Sequence, residues 1–326
     1  MSLQNLEVLV AGGAGFIGSH IVDKLIDADA KVTVIDNLYT GQLENIEQHK
    51  QNKNFRFVKG DVCNLPLVKE AVSGVDFVIN VAAVVSVPRS IENPLLVNEV
   101  NVKGTLNLMK ACLDSDVKRF IQASSASVYG DAQTLPVYED FAPKPLSPYG
   151  VSKLAADNYV AVFHQVYGLE TVCLRYFNVY GPRQANNPYS GAITIFANDL
   201  LSNRPPKIFG DGKQTRDFVF VEDVASANLL ALTEKKAVGE VFNISTGEAT
   251  TINRLVQLMQ EITGKTNLKP IYKDARLGDI RHSIACIDKA RKVLGYEPTI
   301  PLEVGLKKLV DWYMTSQLTL QQKRIP

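Results

Sequence analysis

Apolar residues in the first half of the chain gather in short β-branched runs at 7–11, 31–36, 55–59, 76–81, 119–123 and 171–176. Helical spacing of apolar positions fills the stretches between them. The runs do not alternate strictly with polar residues, so each predicted strand is apolar on both faces. Such strands, joined by helices, predict a doubly wound parallel sheet covered on both sides, the α/β Rossmann arrangement. After Asn178 the pattern changes, and segments rich in Gly, Pro and Asn at 181–191 and 204–212 separate shorter elements. A smaller mixed α/β domain is therefore expected at the carboxyl edge of the sheet. The expected division is 1–178 and, mainly, 179–326, with parts of 215–250 returning to the first domain.

The length of 326 residues suits two domains of roughly 150 residues each. Hydrophobic residues at 46% and charged residues at 21% describe an ordinary folded protein. With 35 Lys and Arg against 34 Asp and Glu, the net charge of +1 argues against nucleic acid or an anionic membrane as partner. The longest apolar stretch, 77–85, contains Asn80 and is shorter than the roughly 20 residues that span a bilayer. The first strand starts too early to leave room for a signal peptide, so a cytoplasmic location is expected. Four cysteines without a CxxC pair and four histidines without ligand spacing predict reduced thiols and no metal site.

The first predicted strand runs into Gly12-Gly13-Ala14-Gly15-Phe16-Ile17-Gly18. Gly12 suits a tight turn off the strand, Gly15 lets backbone N–H groups approach a pyrophosphate, and Gly18 brings the following helix close to the sheet. The N-terminus of that helix would face the phosphates. Asp36, at the end of the second strand, is placed to accept both ribose hydroxyls of an adenosine. Beside it stands the uncharged Asn37, with no neighbouring arginine for a 2′-phosphate, so NAD is expected rather than its phosphorylated form. Asp61, after the third strand, is placed to meet the adenine amino group. Both aspartates are also ordinary turn residues at strand ends.

Tyr149 and Lys153, at i and i+4, share one face of the helix after Pro148. A lysine charge beside the phenol is expected to lower its pKa, making Tyr149 a general acid or base and leaving Lys153 to hold a ribose. The spacing alone also describes an exposed helix pair of little consequence. The preceding strand ends in Ser124-Ser125-Ala126-Ser127, where a doubly wound sheet receives its ligands, and Ser125 is placed to relay a proton to Tyr149.

These motifs resemble the extended short-chain dehydrogenase/reductases, specifically the nucleotide-sugar epimerases and dehydratases, and most of all their UDP-hexose and UDP-N-acetylhexosamine 4-epimerase branch. The marks are GGAGFIGSH at 12–20, NVKGT at 101–105, SSASVYG at 124–130, YGVSK at 149–153, RYFNVYGPRQ at 175–184, FGDGKQTRDFVFVEDV at 209–224 and RLGDIRHS at 276–283. They extend over nearly the whole chain. The resemblance implies Ser125, Tyr149 and Lys153 as the catalytic set and NAD as cofactor. It implies further cofactor contacts from Phe16, Ile17, Val62, Ala82, Ala83, Asn101 and Tyr176. For a UDP-sugar it implies Ser125 and Ala126 at the sugar, Asn178 near the phosphates, Arg216 and Arg276 on the diphosphate, Phe209 at the uracil and Asp279 at its ribose. A homodimer joined by a four-helix bundle from 94–114 and 148–167 is implied as well.

Within this family, dehydratases carry an Asp-Glu pair where this chain has Ala126 and Ser127, which disfavours elimination of water. Asn178 replaces the usual Thr of glucuronate epimerases, while Ser86 and Arg89 keep an anionic sugar open. Members restricted to glucose and galactose place a Tyr where Ser283 stands. A serine there leaves volume for an acetamido group. UDP-GlcNAc and UDP-GalNAc are therefore the expected pair, with UDP-glucose and UDP-galactose also accepted. A net dehydrogenase or reductase and a non-catalytic NAD sensor are the competing classes.

Overall fold

The computed structural model describes residues 3–184, 191–275 and 280–322, with side chains described as far as Thr315. Its strands are β1 (Glu7–Ala11), β2 (Lys31–Asp36), β3 (Phe55–Lys59), β4 (Phe77–Asn80), β5 (Arg119–Ser125) and β6 (Glu170–Tyr176). Shorter ones follow: β7 (Asn178–Tyr180), β8 (Lys207–Phe209), β9 (Thr215–Arg216), β10 (Phe218–Phe220), β11 (Val241–Ile244), β12 (Thr250–Thr251) and β13 (Ile271–Lys273). The helices in the first half are α1 (Phe16–Asp27), α2 (Leu65–Val72), α3 (Val87–Glu92), α4 (Pro94–Asn98), α5 (Gly104–Asp114) and α6 (Pro148–Tyr167). The second half adds α7 (Ala192–Leu201), α8 (Val221–Thr233), α9 (Ile252–Thr263) and α10 (Leu302–Gln322).

Seven parallel strands form the main sheet in the order β11-β6-β5-β4-β1-β2-β3. All six expected strands are present, with shifts of one or two residues at the ends of β4, β5 and β6. β11 is the strand that the apolar pattern did not reveal, because four residues beside β6 carry too short a period to read. Strand order reverses between β1 and β4, so their carboxyl ends diverge and leave a crevice there, the binding place in open α/β sheets.

Both faces of the sheet are covered. Val8, Val10, Ile79, Ile121 and Val172 pack under α1 and α8 on one side, while Leu9, Val78 and Phe120 face α2 and α5 on the other. A third cluster lies outside the sheet, where Ile193, Phe196 and Leu200 of α7 meet Leu255 and Met259 of α9 and Leu306 and Leu309 of α10. This cluster backs the short strands that wall the second side of the crevice. Among the described residues no helix is long and apolar enough to cross a membrane, and no group of His, Cys, Asp and Glu is arranged to hold a metal.

Candidate active site

Two cavities open at the carboxyl ends of the strands. The smaller, about 450 Å³, is lined by Gly12, Gly15, Gly18, Asp36, Asn37, Asp61, Val62, Ala82 and Ala83 among others. The larger, about 730 Å³, is lined by Ser125, Tyr149, Lys153, Tyr176, Asn178, Phe209 and Arg216 among others. Phe16, Ile17, Val81 and Val85 line both, so the two spaces share a wall. Volumes of this size suit small-molecule ligands.

In the smaller cavity α1 approaches the glycine turn so closely that a Cβ on Gly18 would overlap the Gly12 carbonyl oxygen. Only glycine allows that contact, which leaves the first backbone N–H groups of α1 open to an anion. Asp36 fastens the same turn: one carboxylate oxygen accepts the Ala14 N–H at 3.0 Å and the other accepts the Leu38 N–H at 2.8 Å. Burial raises its pKa, against the pull of those two bonds. Each oxygen keeps a further lone pair for a ribose hydroxyl, so the capping and ligand readings coexist. Asp61 likewise accepts the Cys63 N–H at 2.8 Å and holds the Asn37 side chain at 2.8 Å. A dinucleotide therefore fits this cleft in shape and in the chemistry of its donors.

Asn101 does not line either cavity. It lies in a single π-helical turn, Glu99–Lys103, and is buried. Its side chain takes the Val84 N–H at 2.8 Å and donates to Ser152 Oγ at 3.0 Å, tying the cleft wall at 82–84 to α6. It is thus a positioning residue. Arg89 and Ser86 line the smaller cavity rather than the larger one, Ser86 Oγ accepting the Arg89 N–H at the start of α3. The sequence shows no arginine beside Asp36, yet the fold brings the Arg89 guanidinium over the ring of Tyr39.

The larger cavity has its polar end where β5 meets α6. Ser147 caps α6 by accepting the Gly150 N–H at 3.1 Å, and Pro148 occupies the first turn. A Cβ on Gly150 would stand 2.7 Å from the Ser127 carbonyl oxygen, so glycine lets the helix start against the end of β5. Tyr149 and Ser125 thereby line the same end of the larger cavity. Burial pushes the phenol up to about 12, and the nearby Ser125 hydroxyl pulls the other way. Lys153 is driven down to about 8 by burial, with Asp157 opposing, and its Nζ donates to the Ala123 carbonyl at 2.9 Å.

The expectation that Lys153 lowers the phenol pKa is therefore not met: the ammonium is turned to a backbone carbonyl, and desolvation governs both groups. Asp157 itself is held by Arg175 at 3.0 Å, which donates to Tyr129 at 2.9 Å, a buried network behind the site.

Of the expected sugar contacts, Asn178, Phe209 and Arg216 line the larger cavity, whereas Ala126 and Ser283 do not. Ala126 packs against the core, and Ser283 donates its N–H to the Thr215 carbonyl at 3.2 Å. Arg276 and Asp279 lie outside the described residues. The sequence reading overlooked Ser124, Lys207 and Gln214, which also line this cavity. Ser124 was visible as the neighbour of Ser125; nothing in the local pattern of the other two points inward.

Comparison with known proteins matches residues 8–245 to a model described as the NAD dependent epimerase/dehydratase family. A UDP-N-acetylglucosamine 4-epimerase of Methanobrevibacter ruminantium, solved with UDP-N-acetylmuramic acid, is 38% identical, with TM-score 0.92 over 96% of this chain and 100% of that one. A UDP-glucose 4-epimerase of Thermotoga maritima, solved with UDP-glucose, is 40% identical, with TM-score 0.90 over 95% and 99%. A UDP-glucuronic acid 4-epimerase of Bacillus cereus, solved with UDP-glucuronic acid and NAD, is 34% identical, with TM-score 0.89 over 95% and 100%.

Proposed function

Because the chain belongs to the NAD dependent epimerase/dehydratase family, on its UDP-sugar 4-epimerase branch, we propose that it interconverts UDP-GlcNAc with UDP-GalNAc and accepts UDP-glucose and UDP-galactose as well. The observation that carries this reading is the Tyr149–Ser125 pair, in a cavity sharing a wall with the dinucleotide cleft. NAD, when bound, supplies a hydride acceptor that is restored at the end of each turnover. Gly12, Gly15 and Asp36 would hold it. Tyr149 takes the proton of the C4 hydroxyl and returns it, Ser125 relays between that hydroxyl and the phenol, and Lys153 supplies positive charge beside them. Asn178 and Arg216 take the diphosphate and Phe209 the base.

Elimination of water requires a carboxyl acid at the sugar. Asp199 is the one carboxylate among the described lining residues, and Arg204 holds it at 2.9 Å. Dehydratase chemistry is disfavoured on that ground. The choice of sugar rests on cavity volume and on the relatives, not on Ser283. A glucuronate substrate is less favoured, since Arg89, the cation proposed for it, lines the other cavity.

Incubation with UDP-glucose, UDP-GlcNAc and UDP-glucuronate in turn, followed by NMR of the C4 configuration, is expected to show conversion of the first two. Conversion of UDP-glucuronate alone overturns the reading, and stoichiometric release of NADH marks a net dehydrogenase instead.

The division at 178 and 179 and a cytoplasmic location remain part of this proposal, as does a homodimer. Val151, Tyr159, Val162 and Val166 on α6 are all exposed, with Ile91 exposed near the end of α3 and Leu95 at the start of α4. An exposed apolar stripe of this extent supports a subunit surface, and two copies would bring four helices together. Light scattering on the purified protein is expected to give twice the chain mass, and Val162→Asp to give a monomer. A monomeric wild type rejects the dimer.

A further inference from the structure

Two side chains meet across the dinucleotide cleft in a contact that the chemistry at Tyr149 does not require. The Arg89 guanidinium lies over the Tyr39 ring, 4.6 Å from its centroid. Tyr39 belongs to the loop after β2, where its N–H donates to Asn37 Oδ1 at 2.9 Å. Arg89 belongs to α3, which follows β4. In the sheet β1 lies between β2 and β4. A contact joining the loops that follow those two outer strands must therefore pass over the turn that follows β1. That turn carries Gly12, Gly15 and Gly18 and ends at the N-terminus of α1, where a pyrophosphate is received. Both side chains line the cleft, and Tyr39 is half exposed at its rim.

We propose that Arg89 and Tyr39 form a clasp over the bound dinucleotide, the guanidinium turned to the pyrophosphate and held there by the tyrosine ring, and that this clasp slows cofactor release. The inference rests on the assignment of the cleft to a dinucleotide. A guanidinium suits both tasks, because its flat face stacks on an aromatic ring while its edge N–H groups bond phosphate oxygens. It also gives Arg89 a place on the cofactor in exchange for the sugar contact that the sequence suggested. An epimerase restores its oxidised cofactor at each turnover, so retention costs it nothing in rate.

The test loads the full-length protein with NADH, mixes it with excess NAD+ and follows loss of NADH fluorescence by stopped flow. Arg89→Ala and Tyr39→Ala are each expected to speed release by about fivefold, the size of one partly exposed cation–π contact. Their combination is expected to release no faster than the faster single variant, since either change removes the same contact. Tyr39→Phe keeps the ring face and is expected to behave as the wild type. Release at the wild-type rate in both alanine variants overturns the clasp alone, as do strictly additive effects. Failure of the wild type to bind NADH at all overturns the cofactor assignment, and the clasp falls with it.

Discussion

Tyr149→Phe is expected to lower epimerisation by about a thousandfold while the protein still folds and binds the dinucleotide. The change removes one oxygen atom from a side chain that is only 8% exposed, and the ring keeps its packing at the start of α6. Losing the polar contacts of one phenol oxygen costs about 1 kcal/mol of stability, too little to unfold a protein of this size. What disappears is the proton carrier. A phenol held up near pH 12 by burial is neutral at working pH, so in the unliganded protein it stands ready as a donor. Lys153, lowered to about 8 and turned to the Ala123 carbonyl, is still mostly charged at neutral pH but does not bring the unliganded phenol down. For Tyr149 to accept a proton, the Lys153 ammonium must be brought to bear on the phenol once substrate fills the cavity. Positioned acid–base groups contribute about 10²- to 10⁴-fold, which sets the expected loss. NMR of the C4 configuration under single-turnover conditions measures it. Turnover within about tenfold of wild type would remove Tyr149 from the proton path and leave the cavity in need of another acid.

Much of this site could be read along the chain because its parts are local. The glycine turn, Asp36 and the Tyr149–Lys153 spacing each depend on residues a few positions apart, where strand ends and helical periodicity decide direction. Contacts made between distant segments were beyond such reading. Nothing near Arg89 in sequence indicates Tyr39, and only the strand order brings the two loops together. Ser283 illustrates the opposite limit: a resemblance placed it at the sugar, whereas its backbone is engaged with Thr215 and its side chain lines neither cavity. The Lys153 effect on Tyr149 failed for a further reason, since helical spacing puts the two on one face but does not say which acceptor the ammonium takes.

Asp217 is the residue whose removal is expected to cost the most stability. By sequence, Arg216-Asp217 reads as a surface ion pair worth little. Extended backbone instead turns neighbouring side chains to opposite sides, so Arg216 lines the cavity while Asp217 is fully buried. One oxygen of Asp217 accepts the Thr246 N–H at 3.0 Å and its hydroxyl at 2.6 Å; the other accepts the N–H groups of Gly247 at 3.0 Å and Ala285 at 3.1 Å. Three segments are thus gathered on one carboxylate. Asp217→Ala leaves the buried Ala285 N–H and three partly buried donors without their acceptor, at a cost of about 4 kcal/mol. For a chain of this length that corresponds to a fall in melting temperature of about 6 °C, read by scanning calorimetry. Asp217→Asn is expected to help little, because in either orientation its NH₂ faces two of the four donors. The loss should also reach function: the Asp217 carbonyl accepts the side chain of Asn178 at 3.1 Å, so loosening this strand displaces a wall of the sugar cavity and raises KM for the nucleotide sugar. A melting temperature within about 2 °C of wild type in Asp217→Ala would mean that water replaces the carboxylate at little cost, and that the three segments are held by packing rather than by this one side chain.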